Sequence, residues 1–287
     1  MAPTDNQNWL ARFFEKIGRY SVAGIEEIGN GGALVVESFF WLILGRRRKQ
    51  PVRVGSVFAQ MMEIGIQAIP IVGLLASAIG VMLAIQGIHT LRIFGAESRV
   101  TIGIAFSVVR EFSPLITGIL VAGRSGSALA ARIGTMKINQ EIDALIVMGI
   151  NPTRFLVVPA LLAMLVMVPM LTILSDLMGL LAAGLYVGID LGISLAAYFD
   201  EVRDILSVDD VWHGIGKSAI FAVLIAVIGV VNGTSVTGGA EGVGKATTRA
   251  VGGETFIGLG RWLPLIGVFD ALFLVICPWV FAFVVEE

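Results

Sequence analysis

The sequence predicts an all-α integral membrane protein: an N-terminal interfacial amphipathic helix, five transmembrane helices, and a cytoplasmic coupling helix between spans two and three. Three observations carry this. Of 287 residues, 56% are hydrophobic and 15% charged, with a mean hydropathy of +0.88, the balance of a bilayer protein. Apolar runs near the roughly 20 residues needed to cross a bilayer recur along the chain. Between two of them lies a polar interruption, Arg110 to Pro152, that begins with the charged pair Arg110-Glu111 in apolar surroundings.

The elements follow in chain order. Residues 1–62 read as a cytoplasmic or interfacial N-terminal region. Trp9, Leu10, Phe13, Phe14 and Ile17 fall on one helical face, and Arg12, Glu15, Lys16 and Arg19 on the other. That pattern suits a helix lying in the membrane interface, and equally an ordinary amphipathic packing helix. The apolar block 31–44 is too short to cross with Glu37 inside it, so it reads as a re-entrant or interfacial elbow. With residues 1–8 polar, no cleavable signal peptide is expected. Residues 63–287 then form one domain, with spans near 64–91, 100–122, 155–192, 218–236 and 263–284.

The third run is 38 residues long, about 57 Å if straight. It is either one kinked helix or a hairpin broken near Pro169, Asp176 or Gly179. Charge decides. Residues 1–62 hold eight Lys/Arg, the 123–154 loop four and the 233–261 loop three. The 193–217 loop holds two, against five acids. The positive-inside rule puts the first three regions in the cytoplasm and the acidic loop outside. An odd number of crossings is therefore needed between 154 and 193, and the run counts as one kinked span. The N-terminus is then cytoplasmic and the C-terminus periplasmic.

Several classes are excluded. A net charge of −2 and a pI near 5.8 give no footing for nucleic acid. A single cysteine, Cys277, forbids an internal disulfide. His89 and His213 lie far apart, so neither a metal site nor a cofactor is expected. The segment Gly239–Ala246 approaches a phosphate loop, but Ala246 stands where a magnesium-binding hydroxyl belongs and no soluble strand precedes it. Hydrolysis of ATP is expected in a separate subunit, and this chain is not expected to be an enzyme.

Chemistry-bearing residues concentrate in and around the interruption. Arg110 and Glu111 point about 100° apart on a helix and need separate partners. They either clamp neighbouring helices or border a polar cavity, and Pro114 bends the span beside them. Gln86, near the end of the first span, bonds across helices or faces a substrate headgroup. Beyond the turn at Arg124, Leu129, Ile133 and Met136 make one stripe, and Ile138, Ile142 and Leu145 another on the opposite side. A break near Asn139, capping a second helix whose first turn carries Glu141 and Asp143, resolves the conflict. The bent pair fits a partner's groove better than a passive connector. The ridge Gly184, Gly188, Gly192 reads as close helix packing. Asp176 and Asp270 read as interhelical hydrogen-bonding groups or proton-linked carboxylates.

Arg110-Glu111-x-x-Pro114, Ala122-Gly-Arg-Ser-Gly-Ser-Ala128, Ile133-Gly-Thr-Met136, Glu141-Ile-Asp-Ala-Leu145, Met148-Gly-Ile-Asn-Pro152 and Glu241–Val251 together resemble the MlaE/YrbE-type permeases. The likeness runs from about residue 60 to the C-terminus. It implies the membrane subunit of an MCE-associated ABC transporter in the bacterial inner membrane, moving phospholipid or a related lipid between that membrane and an outer-side MCE-domain protein. It also implies a homodimer, a cytoplasmic ABC ATPase dimer and a small cytoplasmic STAS-type subunit. By the same resemblance, Leu83, Gln86, Arg110 and Glu111 border the lipid cavity. Arg124, Ile133, Met136, Glu141, Ile142 and Leu145 couple to the ATPase. Phe112-Ser113, Arg132 and Gly252-Gly253 depart from the family pattern. The competing class is an ion- or proton-coupled secondary transporter using Glu111, Asp176 and Asp270, against which stands the lack of an inverted repeat.

Overall fold

The computed structural model describes residues 54–236, residues 32–38, 40 and 41, and the single positions 29 and 242. All regular structure in them is helical. Four stretches are long and apolar enough to cross a membrane: Val54–Arg92, Glu97–Ile138, Thr153–Leu191 and Val208–Thr234. They coincide with the first four spans expected from sequence. The fifth, 263–284, the amphipathic helix at 9–19 and Asp270 lie outside the described residues.

The first stretch starts earlier than expected. α1 (Val54–Ile64) and α2 (Ile69–Arg92) are joined by a tight 3-10 turn at Ile66–Ala68, with Pro70 in the first turn of α2. Proline suits that place because the first helical N–H groups have no partner to lose. The second stretch is longer than its apolar core and twice widens into a π-helical bulge. α3 (Val100–Phe106) passes through a π-helical segment, Ser107–Phe112, into α4 (Ser113–Val121). A second π segment, Ala122–Gly126, leads into α5 (Ser127–Ile138). The glycine- and serine-rich stretch at Arg124, read as a turn from sequence, is thus a continuous bulged helix.

The expected break after α5 is present, with a different cap. Asn139 closes α5, and Gln140 takes left-handed geometry, φ 59°, to start α6 (Glu141–Val147). The third span opens with a π segment, Thr153–Val157, and continues as α7 (Val158–Leu191), one helix of 34 residues containing Pro169. The choice of one span over a hairpin therefore holds. Gly192, φ 72°, ends it in the left-handed cap position.

The 193–217 segment is a loop in the sequence reading and helical in the structure. α8 (Leu195–Ile205) starts at Ser194, whose hydroxyl accepts the Ala197 N–H at 3.2 Å. α9 (Val208–Thr234) starts at a reciprocal capping box between Ser207 and Asp210, ten residues before the expected span. Tyr198 and Val202 are buried while Asp200 and Asp204 are exposed. Composition hid this amphipathic helix.

Small residues set the packing, as expected where lipid offers no hydrophobic drive between helices. Along α2 and α7, a Cβ on Gly80 would stand 2.1 Å from the Gly179 carbonyl oxygen, and Gly73 meets Met178. Arg92 and Asp190 pair at 2.6 Å where both helices end. The two helices run parallel. The second span and α9 do likewise: Gly214 abuts the Val109 carbonyl, Gly118 faces Phe221, Gly229 abuts the Gly126 carbonyl, and Gly233 the Ala130 carbonyl. Of the glycine ridge of α7, Gly184 leaves room for the Tyr198 ring of α8, Gly188 abuts the Ile193 carbonyl, and Gly192 has open space around it.

Apolar side chains form two clusters. One, at the α5–α6 end, gathers Ile64, Leu129, Ile133, Met164 and Val230; the other, at the α8 end, gathers Ile88, Val108, Val187 and Tyr198. Buried Ser113, Thr117, Thr172, Ser175 and Asp176 also lie within the bundle.

Candidate functional site

Arg110 and Glu111 both sit in the first π segment, and each finds a partner on α9. The Arg110 guanidinium donates through Nε and Nη2 to Asp210 Oδ1, the Nε bond being 2.6 Å, and it lies 4.6 Å above the Phe106 ring. Asp210 is 2% exposed and its other oxygen accepts the Ser207 N–H at 2.8 Å. Glu111 pairs with Lys217. Pro114 has no N–H for the Arg110 carbonyl four residues before it, and Lys217 Nζ donates to that carbonyl at 3.0 Å. Asp210 and Lys217 are seven residues apart, hence on one face of α9. The sequence reading missed both. The signal was available once Ser207-x-x-Asp210 is read as a helix start.

The two pairs differ in setting. The Asp210 side chain is 3% exposed, whereas the Glu111 side chain is 64% exposed. Arg110 therefore completes a buried carboxylate, and Glu111 presents a carboxylate at the surface. Gln86 is exposed on α2, and Leu83 is half-buried against the α8-end cluster. Leu83, Gln86, Arg110 and Glu111 are thus placed on the outside of the described bundle or half-buried in it, and none lines the pocket described below.

The α5–α6 segment separates into an inward and an outward face. Leu129, Ile133 and Leu145 are buried, Ile142 packs on the same cluster, and Met136 is half-buried. The outward face carries Ile146, Val147 and Met148 at 57%, 88% and 64% exposure, with Glu141 and Asp143 also exposed. The residues sequence placed at a partner contact, Ile142 and Leu145, hold α6 on the body of the protein, and their neighbours face out. The base of α6 is tied down further. Glu37 accepts from Asn151 Nδ2 at 3.0 Å and Thr153 Oγ1 at 3.1 Å. Glu37, an oddity in an apolar block, links the N-terminal helical stretch to the start of span three.

Arg124 lies in the second π segment. Its Nη2 donates to Gln67 Oε1 at 2.6 Å, across a pocket of about 80 Å³ bounded by α1, the bulge, α5 and Met164 of α7. Arg132 of α5 and Glu63 of α1 approach at 3.7 Å at the edge of the same pocket. Each of the three π segments carries an arginine: Arg110, Arg124 and Arg154. Such bulges turn a side chain out of the regular helical register and are frequent at functional positions.

Residues 57–258 match the family described as Permease MlaE. The chain is 30% identical, over 88% of its length and 95% of the relative's, to the intermembrane phospholipid transport system permease protein MlaE of Haemophilus influenzae. It is 34% identical to a probable ABC transporter permease protein of Synechocystis, over 76% and 81% of the two chains. A probable ABC transporter permease protein of Rickettsia typhi is 30% identical over 82% and 89%. This multi-pass helical membrane protein belongs to the MlaE permease family.

Proposed function

We propose that this chain is the permease subunit of an ABC transporter that moves phospholipid or a related lipid, driven by ATP hydrolysis in a separate subunit. The family match across residues 57–258 carries the reading. The family match favours this reading over a proton-coupled transporter using Glu111, Asp176 and Asp270; Glu111 is paired with Lys217, Asp176 is buried in the bundle, and Asp270 lies outside the described residues.

In this reading two copies form a homodimer. Exposed Gln86 and Glu111, with Leu83 and Arg110 behind them, border a lipid cavity that opens to the outer side between the copies. Charge distribution puts the α5–α6 end and the N-terminus in the cytoplasm of a bacterium, the C-terminus in the periplasm, and the chain in the inner membrane. There α6 enters a groove of a cytoplasmic ATPase dimer, with Ile146, Val147 and Met148 inserted and Glu141 flanking them. Ile133, Met136, Ile142 and Leu145 brace α6 from behind. An outer-side MCE-domain protein exchanges the lipid, and a small cytoplasmic STAS-type subunit completes the assembly.

The test is copurification with the ATPase. Replacing Val147 with Asp places an unpaired carboxylate in the contact, a cost of several kcal/mol. The ATPase should be lost from the purified complex while the permease still inserts. Wild-type recovery of ATPase with Val147→Asp would remove α6 from the docking surface.

A further inference from the structure

The pocket between α1, the bulge at Ala122–Gly126 and α5 is lined mostly by polar side chains, although it lies beside apolar spans. Gln60 is 7% exposed, and its Oε1 has no hydrogen-bond partner among the described residues. Arg124 reaches Gln67 through Nη2, and its Nη1 is buried with no partner among those residues. The pocket thus offers an unsatisfied acceptor from α1 and an unsatisfied cationic donor from the bulge. The volume, about 80 Å³, is several times the roughly 10–15 Å³ that one water occupies. Glu63, 53% exposed in its side chain, stands at the rim with Arg132. On α1 itself, Phe58 and Met62 share a helical face at 62% and 54% exposure, suited to acyl chains.

We propose that this pocket is a binding site for one glycerophospholipid headgroup whose phosphate is followed by a hydrogen-bond donor, an ethanolamine or glycerol headgroup. The phosphate accepts from Arg124 Nη1, and the ammonium or hydroxyl donates to Gln60 Oε1. A choline headgroup supplies the phosphate and leaves Gln60 unsatisfied. A bare anion fails in the same way. The site is separate from the surface around Gln86 and Glu111, and only its choice of lipid over a soluble phosphoester rests on the lipid-permease reading.

Native mass spectrometry of the full chain in detergent, titrated with phosphatidylethanolamine, phosphatidylglycerol or phosphatidylcholine, tests it. Retention of the first two should exceed that of the third about tenfold, the difference one hydrogen bond to a buried group makes. Gln60→Met should abolish the preference, and Arg124→Gln should weaken all three lipids. Arg124→Lys, which keeps the charge, should retain part of the binding, and a melting curve confirms that each variant is folded. Equal retention of the three lipids, or a preference unchanged in folded Gln60→Met, overturns the proposal. Competition with glycerophosphoethanolamine or inorganic phosphate separates the sources. Displacement of lipid by either at equal concentration overturns the lipid assignment. ATP-driven lipid transfer by the assembled complex is scored in parallel. A complex that transports while the chain lacks the headgroup preference sinks this site alone, and a chain with the preference in an inert complex sinks the transport reading alone.

Discussion

Arg110 and Glu111 are chain neighbours with different tasks, and burial of their partners separates them. Removing Arg110 strands Asp210, which is 2% exposed and keeps only its Ser207 bonds. Arg110→Ala should therefore destabilise the protein by about 2–3 kcal/mol, read as a fall in melting temperature in detergent. Glu111 pairs with Lys217 from a side chain that is 64% exposed, and such pairs contribute roughly 0–1 kcal/mol. Glu111→Gln should melt within about 1 kcal/mol of wild type and still impair lipid transfer. A large loss of stability with normal transfer would make Glu111 a structural clamp. The sequence identified this pair because ionisable groups in an apolar run need a reason. It could not name the partners, since Asp210 and Lys217 lay in a stretch whose acid content reads as a loop.

At the scale of elements, hydropathy located four spans well and their ends poorly. Helices here continue past the apolar window: α1 precedes it, α5 follows it, and α9 begins ten residues ahead of it. The marks were present as Ser194 and Ser207 before helical patterns, and a hydropathy window ignores caps. The π segments carry no comparable mark, because a bulge depends on how a helix meets its neighbours. The long 155–192 run was resolved by charge counting alone, and α7 is one helix. Parallel packing of α2 on α7 rests on backbone contact at Gly80, where a Cβ would meet the Gly179 carbonyl at 2.1 Å. Gly80→Val should cost about 1–3 kcal/mol by overpacking, whereas Gly103→Ala, inside a helix with open space around it, should gain about 0.5–1 kcal/mol. Equal melting of the two variants would show that this crossing is loose.

For the whole molecule, the outer faces of the helices decide the setting. α7 exposes Met170, Leu177, Leu185 and Ile189 at 58%, 61%, 52% and 83%. Faces of this kind require lipid or protein against them. Family membership makes the described bundle a permease, and in the proposed reading its lipid cavity lies between two copies. The central claim is that ATP hydrolysed elsewhere is converted, through α6 and the second span, into lipid movement. Proteoliposomes containing the permease, its ATPase and the proposed outer-side MCE-domain protein, loaded with labelled phospholipid, measure this directly. Transfer should require ATP, should fall at least tenfold with Val147→Asp, and should be indifferent to an imposed proton gradient. Transfer driven by the proton gradient without ATP would contradict the account and return Asp176 and Glu111 to the role of coupling carboxylates.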